Sequence, residues 1–445
     1  MEAPRKSALA REIGLRDLVL FNIAAVAGVR WLAAAARSGP ASITLWLAAA
    51  ALFFVPSALA VARLSSRLPE EGGLYAWTRD SFGDWHGFLC GWCYWLSNLF
   101  YLPNLVLAGI GMAAYGLGTR YAWLGDSRAF ALPVSLGALW LVVLTNLVGM
   151  RVGKWTENLG GLATYAAGVV LVALGAVVWI MHGPAAPPRL VPEWSWGRLN
   201  FWSQIAFAFG GLELGAVLGG EIRDPRRTVP RAAWISGLLI AAFYILGTLA
   251  ILAVLPPDEV NVLAGLTQAG TVAGARLGLP WMGLLLAVLI VFGIAGQLSA
   301  WMGGTSRIPF AIGLDSYLPR AFGRLHPRWK TPYVALIAQG AACSVFLVAM
   351  QLGETLRTGY QLLVDMTVIT YFIPFLYMFA AATRHGLRLS AWSGFAVTAL
   401  AILLSLAPPA GAGSSLLFDA KLIGGCALVA ATARIVFMRG RRARA

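Results

Sequence analysis

Charge is what this sequence has least of. Asp, Glu, Lys and Arg together make up 12% of its 445 residues, where a soluble domain carries roughly a quarter. With a hydrophobic fraction of 59% and a mean hydropathy of +0.73, that shortage excludes an ordinary water-soluble domain. Long polar stretches are also lacking: no gap between apolar runs exceeds about 27 residues, too little for a soluble domain of usual size. Period-two alternation over ten-residue segments is missing, which excludes an outer-membrane barrel. Cysteine and histidine number four each. Cys90 and Cys93 in "FLCGWCYW" have C-x-x-C spacing, but a redox reading needs a thioredoxin-like βαβ context. Inside an apolar run they read as two small packing residues. His86, His182, His326 and His385 fall at run ends or in loops, so no metal set is expected.

What the chain does have is apolar runs of about 20 residues, each long enough to cross a hydrocarbon core of about 30 Å. They fall near 18–36, 41–62, 86–115, 129–150, 159–181, 201–220, 232–255, 280–304, 332–350, 360–382, 391–407 and 415–433. The expected fold is an all-α membrane protein with twelve transmembrane helices. The net charge of +15 is distributed for topology, with no nucleic acid implied. With the amino terminus inside, the inside segments hold 25 Lys and Arg and the outside loops 7. By the positive-inside rule both termini, 1–17 and 434–445, are cytoplasmic. No cleavable signal is expected, because the first run is too long and lacks a small-residue cleavage site. Three loops look ordered by their Pro, Gly and aromatic content: 67–88, 305–332 and 256–279, the last expected to hold a short helix.

Two runs interrupt themselves. The first reads "DLVLFNIAAVAGVRWLAAAARSGP", with Gly28 in mid-run beside Arg30; the sixth carries Gly210, Gly211 and then Glu213. They open two five-span blocks, 18–181 and 201–382, and an odd number of spans per block gives the two halves opposite topology. Spans eleven and twelve (391–433) stand outside this repeat. Interrupted helices at matching positions of inverted halves are the sequence pointer to a transporter's midplane site. Irregular backbone survives in hydrocarbon only where protein or a water-filled cavity satisfies it. Half-helix amino termini then favour an anion, and freed carbonyls can accept from an ammonium. Two facing breaks make a receptor for a small zwitterion. Glycine is also common in membrane helices for close packing, and there are 50 here; the repeat-related positions beside ionisable residues favour the site reading.

Ionisable residues at mid-membrane are functional by default, at about 2.5–3.5 kcal/mol each on insertion scales. Three qualify: Arg30, Glu213 and Asp365. Arg30 serves either a substrate carboxylate or the unwound segment itself, and a pair between Arg30 and Glu213 across the site is an expectation. Glu213 is the candidate gating or proton-coupling acid. Asp365 lies about two turns into the tenth span, where a vestibule position is the alternative. Glu221, Asp224, Arg226 and Arg227 are assigned to a cytoplasmic loop, with Pro225 and Pro230 ending the helix. Two polar stripes, Ser97–Tyr101–Asn104 and Gln297–Trp301–Thr305, either line a cavity or join helices. Phe207 and Phe209 are candidates for an aromatic lid.

These motifs together resemble the amino acid–polyamine–organocation permease superfamily over nearly the whole chain. "PEEGGLY" (69–75) with "SFG" after it, Phe207–Ala232 as "FAFGGLELGAVLGGEIRDPRRTVPRA", and Arg307, "LP" at 318–319 and "TP" at 331–332 carry the resemblance in order. It implies the inverted five-plus-five fold with two extra helices, and secondary transport of amino acids or related amines. Carried over by position, it implies that backbone at Ala27, Gly28 and Val29 holds a carboxylate and that Gly210–Gly211 completes the pocket. It also implies that Phe207 gates, that Glu213 is the gating acid, and that Trp301 walls the pocket as in arginine/agmatine exchangers. The first break departs from the family's G-[SA]-G-[IV]: it reads "AAVAGVRW", and Arg30 there argues against a cationic substrate. The expectation is therefore a permease for small neutral or acidic amino acids, in the bacterial inner membrane, by proton symport or exchange. An amine or polyamine exchanger and a non-transporting sensor on the same fold are the alternatives. No enzyme activity and no cofactor is expected. The partners are the amino acid substrate, a coupling proton or counter-transported amino acid, and the lipid bilayer, with a homodimer as a candidate assembly.

Overall fold

The computed structural model describes residues 9, 11–125, 127–187, 189, 191, 205–262, 264–352, 356–405 and 415–444. Its helices are α1 (Leu15–Val26), α2 (Val29–Arg37), α3 (Ser42–Ala49), α4 (Val55–Arg67), α5 (Leu74–Phe82), α6 (Asp84–Gly116), α7 (Arg128–Val148) and α8 (Met150–His182). A helix whose described part is 205–208 (α9) follows. Then come α10 (Leu212–Val217), α11 (Pro225–Val254), α12 (Gly265–Arg276), α13 (Met282–Leu314), α14 (Tyr333–Leu352), α15 (Leu356–Arg384), α16 (Arg388–Ser405) and α17 (Ser415–Arg444). A five-residue π segment, Ala50–Phe54, joins α3 to α4 in one continuous span. Among the described residues there is no β-strand, only an isolated parallel bridge between Ile13 and Ile222.

The all-helical architecture follows from the apolar runs, since a helix satisfies its own backbone groups where water is absent. Among the described residues nine helices are long and apolar enough to cross a membrane, and the bent pair α1–α2 makes a tenth. Two shorter apolar helices, Ile205–Val217 and Tyr333–Ala349, lie in the sixth and ninth runs. The third ordered loop does hold a helix, α12.

Helix ends shift two sequence readings. Pro225 opens α11 and Pro230 lies inside it. Proline at the first helical position gives up only an N–H that has no intrahelical partner, and Pro230, five residues further on, forgoes one intrahelical bond without ending the helix. Arg307 is not in a loop, because α13 continues to Leu314.

The broken helices sit at the centre of the packing. α1 packs against α8, α11 and α13, while α13 runs along both α8 and α6. Glycines permit these approaches: a Cβ on Gly160 of α8 would lie 2.4 Å from the Gly296 Cα of α13. Small residues let membrane helices gain dispersion contacts that lipid would otherwise supply.

The loops of 68–88 and 315–332 are tied together at one end of the bundle. Tyr75 Oη donates to Asp315 Oδ2 at 2.6 Å, Arg79 pairs with the same carboxylate, and Tyr317 Oη donates to Asp84 Oδ2 at 2.6 Å. Burial, then the Asp315 carboxylate, raises the Tyr75 phenol above its ordinary value, so it remains a donor.

Candidate functional site

Both sequence breaks are real, and each leaves backbone groups that other helices satisfy. α1 stops at Val26, Ala27 and Gly28 leave helical geometry, and α2 departs at 42°. In an unbroken helix the Ala25 and Val26 carbonyls would accept from Val29 and Arg30. Here Ala25 O accepts from Gln297 Nε2 at 3.0 Å and Trp301 Nε1 at 2.8 Å. Val26 O accepts from the Tyr244 hydroxyl at 2.5 Å and from Gly28 N at 2.7 Å. The eighth-span polar stripe thus faces the break: Gln297 and Trp301 finish the first helix.

The second break is the turn 209–211 between α9 and α10. Gly211 has φ +122°, a region that side-chain-bearing residues rarely enter. Tyr244 Oη is 2.9 Å from the Ala208 carbonyl freed here, and it accepts from Gly28 N at 3.1 Å. A hydroxyl has one proton, so it donates to Val26 or to Ala208 at any moment and links the two breaks. Their proximity is direct: a Cβ on Gly211 would sit 2.9 Å from Val26 Cγ2 and 3.3 Å from the Trp301 ring. The interrupted helices meet, as a zwitterion site requires.

Glu213 lies in the first turn of α10 and is 1% exposed. Its Oε1 accepts from Tyr94 at 2.8 Å and Tyr371 at 2.7 Å, and its Oε2 from Gly211 N at 2.9 Å. The carboxylate thereby joins α6, α10 and α15. Arg30 does not pair with it, contrary to the sequence expectation. The guanidinium instead stacks over Trp31 and Tyr101, with 4.4 Å and 5.3 Å to the ring centroids. Three donors already meet the Glu213 oxygens, and α2 carries Arg30 to the far side of the aromatic cluster.

A cavity of about 10 Å³, room for about one water, lies at this junction. Ala25, Val26, Ser97, Tyr101, Phe207, Gly210, Trp301 and Tyr371 are among its walls. Phe207 packs edge-on to Trp31 at 5.6 Å and Tyr371 at 5.0 Å, a closed position over the cavity. Phe209 does not share it. Phe209 is the first residue of the turn that ends α9, and it is buried against Trp46, Phe54 and Tyr244. Ala27, Gly28 and Val29 lie at the break behind Ala25 and Val26 and are not themselves walls. Ala27 N bonds to Ile23 O and Gly28 N is shared between Val26 and Tyr244, so two of these three amides already have partners. Asp365 falls in α15, with its side chain outside those described.

Sequence reasoning missed Tyr94, Tyr371, Tyr244 and Trp31. The stripe read from Ser97 to Asn104 extends back one turn to Tyr94, which is a usable signal. Tyr244 stands alone in an apolar run, and nothing local marks it. Tyr244→Phe leaves the freed carbonyls short of a donor, so it is expected to cost about 1–3 kcal/mol, read as a lowered Tm of the detergent-purified protein. An unchanged Tm would contradict this role for the hydroxyl.

A bundle of membrane-length helices in which a broken span, α1–α2, meets the interrupted α9–α10 segment at a small cavity is the arrangement of a membrane transport fold. The amino acid permease family model matches residues 13–408, and the chain belongs to that family. It is 30% identical to an uncharacterized transporter of Legionella pneumophila, covering 83% of this chain and 80% of the relative. It is 26% identical to a serine/threonine exchanger of Bacillus subtilis, over 83% of each. A probable agmatine/putrescine antiporter of Lactococcus lactis shares 22% identity over 76% of this chain and 72% of the antiporter.

Proposed function

We propose that this protein moves small amino acids, neutral or acidic, across the bacterial inner membrane by proton symport or exchange. The meeting of the two breaks carries this reading. Ala25 and Val26, Ala208 and Gly210, and the Tyr101–Phe207–Trp301–Tyr371 walls converge on one narrow cavity, and Glu213 stands behind the Tyr371 wall as its hydrogen-bond acceptor. Backbone groups at the breaks, held here by Gln297, Trp301, Tyr244 and Glu213, would exchange those partners for the carboxylate and ammonium that all amino acids share. The 18–181 and 201–382 blocks are proposed as inverted halves, with both termini cytoplasmic. Opening of one bundle against the other would then give alternating access. The serine/threonine exchanger among the relatives supports a small neutral substrate.

Arg30 divides the readings. An amine exchanger, the runner-up suggested by the antiporter relative, would have to bring a cation beside the guanidinium stacked on Tyr101. Like charges in low dielectric repel strongly, so the cationic class is disfavoured. Uptake of labelled amino acids into proteoliposomes, with and without a pH gradient and with and without internal amino acid, tests the proposal. Gradient-driven uptake means symport, uptake needing internal amino acid means exchange, and no flux for any amino acid supports a sensor. Arg30→Met is expected to weaken an acidic substrate about tenfold, or about 1.4 kcal/mol, while leaving a neutral one nearly unchanged. Equal losses for both would make Arg30 a structural cation.

A further inference from the structure

A second buried ionic cluster lies away from the cavity, where the 69–73 loop meets α10 and α13. Arg307 is fully buried and pairs through Nη2 with Glu221 Oε1 at 2.9 Å. Its Nη1 donates to Gly303 O at 2.6 Å. Glu71 reaches in from the loop and accepts from Gly220 N at 2.8 Å through Oε2. Glu157 of α8, 2% exposed, has Ser299 Oγ at 3.4 Å and lies in the field of both Arg307 and Glu221. Asp17 of α1 is the next carboxylate outward.

This cluster holds three carboxylates and one guanidinium. Fully ionised, it would carry two uncompensated negative charges inside the protein, and buried charge persists only when paired. The hydrogen-bond record agrees: Glu71 Oε1, Glu221 Oε2 and Arg307 Nε are buried without a partner. Glu221 itself is 3% exposed, and its orphan oxygen is where a further proton would be held. A proton on one of these oxygens would offset part of that buried negative charge.

We propose that Glu71, Glu157 and Glu221 around Arg307 form a proton-binding latch: the protonated cluster fastens the 69–73 loop onto residues 217–221, and opening of this end of the bundle releases a proton. The fastening is visible in the backbone. Gly72 N donates to Val217 O at 3.1 Å beside the Glu71–Gly220 bond, so the loop grips the far end of α10, the half-helix that follows the second break. Opening exposes Glu71 to water and separates it from Glu221.

The direction of the pH effect follows from Glu71. Burial first, then the Glu221 charge, pushes its carboxyl up from 4.5 to about 8, with Arg307 and the Gly220 N–H acting the other way. A carboxyl that binds its proton more tightly when closed favours closure in acid. Below the exposed value of 4.5 both forms are protonated and closure is fully favoured. Between there and about 8 the closed form progressively loses its advantage, so rising pH opens this end. The consequence for flux rests on the transport reading above; the latch itself can be measured without any substrate.

Amide hydrogen exchange of segments 68–74 and 216–222 tests it, on the full-length protein in nanodiscs, corrected for intrinsic base catalysis. Protection should fall at least about tenfold from pH 5.5 to 8.5, a change of about 1.4 kcal/mol or more. In Glu71→Gln, which keeps the shape but cannot ionise, protection should stay high at both pH values. Glu221→Gln removes the charge that pushes Glu71 up and should move the wild-type midpoint to lower pH, which keeps the test open if Glu71→Gln fails to fold. A pH response shared by wild type and Glu71→Gln, or an unmoved midpoint in Glu221→Gln, would overturn the latch. Failure of amino acid flux alone would leave these exchange results standing and overturn only the transport reading.

Discussion

Glu213→Ala is expected to lower flux at least about a hundredfold and to abolish uptake driven by a pH gradient. The carboxylate is the shared acceptor of Tyr94, Tyr371 and Gly211 N. Removing it leaves three buried donors unpaired, at about 1–3 kcal/mol for each. Even the low end, taken together, exceeds the roughly 2.7 kcal/mol that a hundredfold change requires. The loss falls on function because the carboxylate ties α10, a half-helix that alternating access must move, to α6 and α15. Glu213→Gln separates structure from protonation. The amide oxygen can still accept from the tyrosines, so the fold and some exchange should survive, while uptake driven by a pH gradient should vanish. Proteoliposome uptake with and without a pH gradient for wild type, Ala and Gln checks this. Gradient-driven uptake in Glu213→Gln equal to wild type would move the coupling proton elsewhere.

Gly211→Ala should be nearly as damaging, for a backbone reason. The residue holds φ +122°, and such a conformation costs a side-chain-bearing residue about 1–3 kcal/mol. The new methyl would also press on Val26 Cγ2 at 2.9 Å, and overpacking adds about 1–3 kcal/mol. The two breaks would be forced apart at the point where they meet. We expect a lower Tm and flux reduced at least about thirtyfold, or about 2 kcal/mol. Val26→Ala in the same chain restores the space but not the dihedral, so recovery should be partial. Gly111→Ala is the control: a Cβ there meets nothing within 4 Å, and both Tm and flux should stay close to wild type. Full activity in Gly211→Ala would mean that the turn can re-form without its glycine.

The helical architecture and the location of both breaks were legible because hydropathy and glycine placement are local signals. "AAVAGVRW" and "FGGLE" mark their own interruptions. What satisfies the breaks was legible only in part. Gln297 and Trp301 stand in a readable stripe, but Tyr244 reaches Gly28 across 216 positions of sequence, and no periodicity encodes such a pairing. The expected Arg30–Glu213 pair failed for the same reason. Proximity to a break does not say which way a side chain turns, and Glu213 found two tyrosines from α6 and α15 instead. Phe209 was misplaced by reading two neighbouring aromatics as one lid when the turn that ends α9 separates them. Glu221 and Arg307 looked like loop charges until the helix ends placed them in a buried cluster.

The central claim is that main-chain groups at two meeting helix breaks hold both ends of a zwitterion. Competition against labelled serine uptake in proteoliposomes tests it most directly, using serine, serinamide, which lacks the carboxylate, and glycerate, which lacks the ammonium. The account predicts that unlabelled serine competes and that each one-ended analogue is at least about a hundredfold weaker, because a site built for a polar group is left unpaired without it. Serinamide or glycerate competing as well as serine would contradict it.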